Sequence, residues 1–452
     1  MSIRRSWLPV LAALFCCVVA GCSRRSTLMP WPPITDPVVF GDAFGKNIGF
    51  QAFAGSKLTG LSIDSTTKYQ GAASIKLTVP APGDPTGGYT GGALLTPANR
   101  VRDLSGYNAL TFFVKASRPV NFDVAGLGND NTGTSRFTAQ RIAIPITTAW
   151  TQVYIPIPLP ARLEAEGGMF FFAEGPQSGV GLTMWIDEVR FVNTPLITNP
   201  RPTLAPLSLS TLVGSTVSLF GATRTTFNVG GVDQIVTHLP GYFTFESSNP
   251  LVASVDGSII HVQSPGSSSI SAKLGSVPVT GVVTLSSTAP PTVGPPNPLP
   301  PAADVLSLFS NTYPNATVDT WSANWDQADV SDILVAGNPA KVYTNLLFAG
   351  IEFITHPIDA SSMTHVHLDV WTPGGTVFRV KLVQFTTDGS FESESELQFN
   401  TGTTPSFSPG AWVGLDIPLA NFAALTGRDR LSQLILSGDM RTAFVDNVYF
   451  HK

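Results

Sequence analysis

Four residues that can do chemistry alternate along one short run, His365-Val366-His367-Leu368-Asp369-Val370-Trp371. Strand periodicity sends Val366, Leu368 and Val370 to one face and leaves His365, His367, Asp369 and Trp371 on the other. Two imidazoles and a carboxylate so spaced are ligands for a transition metal; with the indole they also form a surface of stacking ring and hydrogen-bonding groups that suits a sugar. No obvious further ligand accompanies them, and a solvated or loop-covered polar face explains the same alternation. Trp321 and Trp325 stand among Asp, Ser, Thr and Asn, where an exposed indole needs a purpose and a core-facing one does not. Asn129-Asp130-Asn131-Thr132 and Thr386-Thr387-Asp388-Gly389 are polar turns whose Asn129, Asp130 and Asp388 can meet hydroxyl groups, although turn chemistry alone accounts for them.

Carboxylate pairs are few. Glu392, Glu394 and Glu396 alternate onto one strand face and read as a solvated edge that resists strand pairing. Glu164 and Glu166 form the other close pair, and neither set fits a two-carboxylate glycosidase. The sequence has no G-x-S-x-G elbow, no H-E-x-x-H and no phosphate-cradling loop, so we expect no enzyme. The net charge of -5 has no basic stripe behind it, which argues against nucleic acid as a partner.

The elements that must carry these residues are strands. Hydrophobic residues make up 43% of 452 and charged residues only 13%, while 41 Gly and 37 Pro supply many turns. An all-β fold follows: two jelly-roll β-sandwiches separated by an immunoglobulin-like β-sandwich. Apolar runs at 74–79, 109–115, 120–125, 141–144, 152–157 and 184–192 predict one sandwich over 38–193. A linker is expected over 194–206, a smaller module rich in Val, Ser, Thr and Gly over 207–287, a semi-rigid proline-rich linker over 288–303, and a last sandwich over 304–452. The two large sandwiches repeat each other. Asp103-Leu104-Ser105 before Leu110, Phe112 and Val114 matches Asp359-Ala360-Ser361 before Val366, Leu368 and Val370, and Trp185-Ile186-Asp187-Glu188-Val189 matches Phe444-Val445-Asp446-Asn447-Val448. On the strand matching His365–Trp371, the first copy carries Ala109, Thr111, Phe113 and Lys115, so a site on this face is not shared.

At the N-terminus, Arg4 and Arg5 precede an apolar run that ends Val19-Ala20-Gly21-Cys22. This resembles the bacterial lipoprotein lipobox, which implies a signal peptide over 1–21, acylation of Cys22, a tether over 22–37, and a lipid-anchored place in the cell envelope facing out from the outer membrane. Cys16 and Cys17 lie in the segment to be removed, so the mature chain has no disulfide. Phe243-Thr244-Phe245-Glu246-Ser247-Ser248-Asn249-Pro250 followed by Val252-Ala253-Ser254-Val255-Asp256-Gly257 resembles the group 2 bacterial immunoglobulin-like repeat, a usual spacer.

The duplicated sandwiches resemble galactose-binding-like carbohydrate-binding modules. The distal copy, through Val318-Asp319-Thr320-Trp321-Ser322, Trp325-Asp326 and 364–372, is similar to modules attached to family 16 laminarinase-type glycoside hydrolases. That resemblance implies capture of a polysaccharide, a β-glucan above others, with the distal module leading and an outer-membrane glycan uptake or hydrolase system as partner. It also implies structural calcium held by the closing-strand Asp187 and Asp446, with Asp42 near the first strand; Asn311 stands where the second copy needs that carboxylate. The alternatives are a glycan hydrolase or lyase with an unfamiliar site, and a structural or adhesive surface protein.

Overall fold

The computed structural model describes residues 33–452; the expected signal peptide, Cys22 and most of the tether lie outside the described residues. Among the described residues every long element is a strand, as the composition predicts, and the helical pieces are single turns such as Ala98–Arg100 and Pro160–Arg162. Among the described residues no helix is long and apolar enough to cross a membrane.

The first sandwich packs two sheets. One runs in the order Leu61–Asp64, Ser74–Val79, Leu182–Val192, Ala109–Ala116, Thr151–Pro156, with Val38–Phe40 paired to Leu182–Val192. The other contains Ala139–Ile146, Val120–Leu127, Gly168–Glu174, Thr90–Leu95 and Gly49–Ala52. Alternation turns Leu110, Phe112 and Val114 of one sheet toward Phe122, Phe170 and Phe172 of the other, and all six side chains are fully buried. Arg102 is also buried, at 1% exposure, because its guanidinium donates to the carbonyls of Asp36 and Val38 at 2.7 and 2.8 Å and of Lys46 at 3.1 Å.

The distal sandwich repeats this plan. Its strands run Phe391–Phe399, Phe378–Phe385, Leu431–Gly438, Asn338–Glu352, Ala443–His451, His365–Trp371, Val413–Pro418, with Val305–Phe309 paired to Ala443–His451. One long strand, Asn338–Glu352, joins both layers: residues 341–343 pair with Ala443–His451, and residues 348–352 with Leu431–Gly438. The bulges correspond too. The first strand shifts register between Val38 and Phe40, and between Ser307 and Phe309, and in each closing strand a residue adopts positive φ just after the aspartate, Glu188 at 51° and Asn447 at 48°.

One expected linker is corrected. Most of 194–206 is a strand, Ile197–Leu204, antiparallel to Thr223–Val229. Its prolines misled because Pro200 and Pro202 lie on a sheet edge, where a missing N–H costs no ladder bond. Thr223–Val229 pairs with Val232–His238, and that strand pairs with Ala139–Ile146 of the first sandwich through Thr237–Gln140 and His238–Ala139. An eight-stranded sheet therefore crosses from the first sandwich into the middle module, and Phe227, Val236, Tyr242 and Phe243 enter the first sandwich's core. The rest of the middle module surrounds a small separate core of Leu204, Leu219, Ile260, Ile270, Val283 and Leu285.

The proline-rich linker forms no strand or helix from residue 289 to 301 and rests against the distal sandwich. Trp412 Nε1 donates to the Val293 carbonyl at 2.7 Å, Tyr313 donates its hydroxyl to Pro300 at 2.7 Å, and residues 296–300 lie over the His367 face of the distal sandwich.

Candidate glycan-binding surfaces

The hairpin loop between Val120–Leu127 and Ala139–Ile146 stands above the end of the eight-stranded sheet. Asp130 builds it: Oδ1 accepts from Thr132 Oγ1 at 2.7 Å, from Ser135 Oγ at 2.6 Å and from the Thr132 amide at 3.2 Å. Beneath the loop lies a cleft of about 450 Å³ with Leu95, Val101 and Phe137 as apolar wall and Gln51, Asp130, Thr132, Ser135 and Glu166 as polar groups. Gln51 and Leu95 project from the outer face of the sheet, so the cleft continues that face. Burial pushes the Glu166 carboxyl up to about 7, and the neighbouring Asp130 charge adds to the rise. Burial also raises Asp130, but hydrogen bonds from Ser135 and Thr132 outweigh it and leave its pKa lowered. The two carboxyl groups of this cleft are thus pushed in opposite directions, Glu166 up by burial and Asp130 down by hydrogen bonds.

The distal sandwich offers a second surface. The Trp325 ring lies flat over Gly350, where a side chain would meet it at 2.5 Å, and stacks on Phe348 with ring centroids 6.2 Å apart and planes 21° apart. Its other side is open, at 43% exposure. Indole Nε1 donates to Glu352 Oε1 at 2.9 Å, and Gln433 Nε2 donates to the same oxygen at 2.9 Å. An aromatic plane bordered by an amide and a carboxylate is the pairing a pyranose needs, with C–H groups on the ring and hydroxyls on the border.

The remaining candidates are placed otherwise. Trp321 turns inward, edge-on to Phe309 at 5.5 Å with Lys341 over its face at 5.0 Å. Trp371 is 4% exposed, perpendicular to Phe444 and packed in a cluster with Leu212 of the middle module and Trp412, so it is corrected from platform to contact. Asp369 is buried and accepts from Asn447 Nδ2 at 2.9 Å. His365 stacks on His451, and His367 stacks on Tyr449 while lying 3.3 Å from Asp416. The proline-rich segment borders this face, and a cleft of about 420 Å³ lies between residues 296–300 and His367, Asp369, Asp416, Tyr449 and His451. Asp388 stays in its turn, accepting from the Ser390 amide at 3.0 Å. Glu394 and Glu396 are not a bare acidic strip, because Lys381 and Arg379 of the next strand pair with them.

The calcium ligands expected at Asp42, Asp187 and Asp446 are surrounded by donors. Asp187 Oδ2 accepts from the amides of Tyr69 at 2.8 Å and Gln70 at 3.3 Å, and its Oδ1 from the Glu188 amide at 2.8 Å. Asp42 Oδ1 accepts from the amides of Ala72 and Ala73, and Asp446 from Asn338 and the Asn447 amide. Among the described residues no group of three His, Cys, Asp or Glu side chains is arranged to hold a metal. N–H groups aimed at the carboxylates satisfy them as a cation would, so these residues do not fit calcium.

Residues 36–192 match the family model described as carbohydrate binding domain 30. The chain is similar to the family 30 carbohydrate-binding module of a cellulosomal cellulase of Clostridium thermocellum, at 18% identity over 36% of this chain and 95% of that one, with a TM-score of 0.24. It is similar to a family 11 module of the same organism in complex with a β-1,3-1,4-mixed-linked tetrasaccharide, at 12% identity over 36% and 98%, with a TM-score of 0.26. Tandem family 22 modules from Paenibacillus barcinonensis cover 93% of this chain and 99% of their own, at 11% identity and a TM-score of 0.23. No curated protein matches the chain. The match falls on the first sandwich, which is similar to a carbohydrate-binding module.

Proposed function

We propose that this protein captures a polysaccharide, a β-glucan above others, and holds it without cleaving it, as a lipid-anchored component of the cell envelope that serves a glycan uptake or hydrolase system. The observation that carries glycan capture is the cleft beneath the 129–137 loop, where hydroxyl, amide and carboxyl groups border an apolar wall inside the module that matches a carbohydrate-binding domain. Trp325 supports a second point of attachment. β-Linked glucans present flat C–H faces to an indole while their equatorial hydroxyls reach the border groups, and two weak attachments on one chain add avidity.

A second reading, a glycan hydrolase or lyase, is favoured by one observation: Glu166 and Asp130 line one cleft with their pKa values pushed apart, as a general acid and its partner carboxylate require. One experiment separates the two readings. Affinity electrophoresis of the full chain in gels containing a polysaccharide panel, with polymer length measured before and after incubation, should show retardation by β-glucans and unchanged length. Gln51→Ala and Trp325→Ala should each reduce the retardation. Shortened polymer would establish the enzymatic reading, and mobility unaffected by every polysaccharide would sink capture.

A further inference from the structure

A second cleft lies on the far side of the 129–137 loop, at the seam with the middle module. Its volume is about 480 Å³, and Asn129, Thr134 and Arg136 of the first sandwich face Phe220, Leu239 and Ser258 of the middle module across it. Half of this lining lies outside residues 36–192, so the family match does not reach it. Thr134, Ser135 and Arg136 line both clefts, and the loop that carries them is one wall with a cleft on each side.

The wall is held in place by the middle module. The Leu239 amide donates to the Thr138 carbonyl at 2.9 Å, and the buried Tyr242 donates its hydroxyl to the Phe137 carbonyl at 2.6 Å. Gly241 presses against the loop so closely that a side chain there would meet the Arg136 carbonyl oxygen at 2.4 Å. Phe220 is the exception to this packing. It is 59% exposed on a turn between two strands and lines the seam cleft. Arg136 is exposed, and among the described residues its guanidinium makes no hydrogen bond or ion pair; its one partner is the Phe137 ring, 5.7 Å away.

We infer that the seam cleft is a further subsite for the same glycan chain, in which a polysaccharide leaving the first cleft crosses the loop past Arg136 and stacks a sugar on Phe220. This rests on the first cleft binding glycan. Its chemistry is that of a neutral hexose polymer: C–H groups against the phenyl face, hydroxyls to Asn129, Thr134 and Ser258, and the Arg136 N–H donors serving sugars on both sides. Affinity should therefore grow with chain length beyond what one cleft can fill.

Isothermal titration of the full chain with β-1,3-1,4-gluco-oligosaccharides from trisaccharide to octasaccharide tests this. Wild type should bind the longest tighter than the shortest, and Phe220→Ala should weaken the longest about tenfold while leaving the shortest unchanged. Arg136→Ala should weaken both. Because Phe220 is exposed, its variant should keep the wild-type circular dichroism spectrum. Equal affinity for all lengths, or a Phe220→Ala variant that binds the octasaccharide as wild type does, overturns the seam subsite alone; failure of wild type to bind any oligosaccharide overturns the first-cleft reading together with it.

Discussion

Burial raises the carboxyl groups of Glu166 and Glu174 to about 7 and lowers His238 to about 4, so these three side chains are among those that make stability respond to pH. The two glutamates bind protons more tightly folded than unfolded; their contribution is full below about 4.5 and is lost as pH rises through 7. His238, neutral in the core with Nε2 3.0 Å from Thr225 Oγ1, acts in the opposite sense and costs stability as pH falls from about 6.5 toward 4. Glu166→Gln should therefore remove part of the loss between pH 5 and 8, worth up to about 3 kcal/mol, and urea unfolding at both pH values measures it. Parallel pH profiles for wild type and variant would refute the assignment. At the same scale, Trp325→Ala should lower retention by β-glucan while shifting thermal stability little, because the indole is half outside the fold.

Strands and their covers decide which of the candidate residues are available. The run His365–Trp371 was legible as a strand, and Val366, Leu368 and Val370 are fully buried as its period requires. Its other face was not legible, because its neighbours come from elsewhere in the chain: residues 296–300 and Leu212 of the middle module. The first copy covers the matching face with a different loop, through Tyr69 stacked on Phe113. Trp321 and Trp325 have similar sequence surroundings, and only tertiary packing sends one inward. Asn129 and Asp130 were legible as a polar turn, but Glu166 could not be joined to Asp130 without the fold, and Phe220 gave no signal at all. Two predictions belong to elements. Gly350→Val should displace the Trp325 ring from the sheet and reduce glycan retention at the distal surface, which affinity electrophoresis of the variant detects. Trp412→Phe removes the donor to Val293, so proteolytic cleavage within residues 288–300 should accelerate; an unchanged cleavage rate would show that this hydrogen bond does not hold the segment.

The whole molecule has three apparent modules, but its sheets and cores divide it differently. An eight-stranded sheet and shared core residues join the first sandwich to the middle module, whereas the distal sandwich has its own core and meets the middle module through Trp371, Trp412 and Leu212. Scanning calorimetry should accordingly show two unfolding transitions, with the first sandwich and middle module melting together; three resolved transitions would contradict this. The all-β class and the two-copy plan came through in the sequence because alternation and turn residues are local, while the joining of modules rests on two backbone pairs and buried aromatics that no local pattern marks. The shared sheet also limits how these genes can be recombined. A breakpoint at residues 193–206 would unpair Ala139 and Gln140 from His238 and Thr237 and would strip Tyr242 and Phe243 from the core they help fill. A transplant that keeps this core intact has to carry the chain on through the middle module, whose last strand is Val283–Thr288.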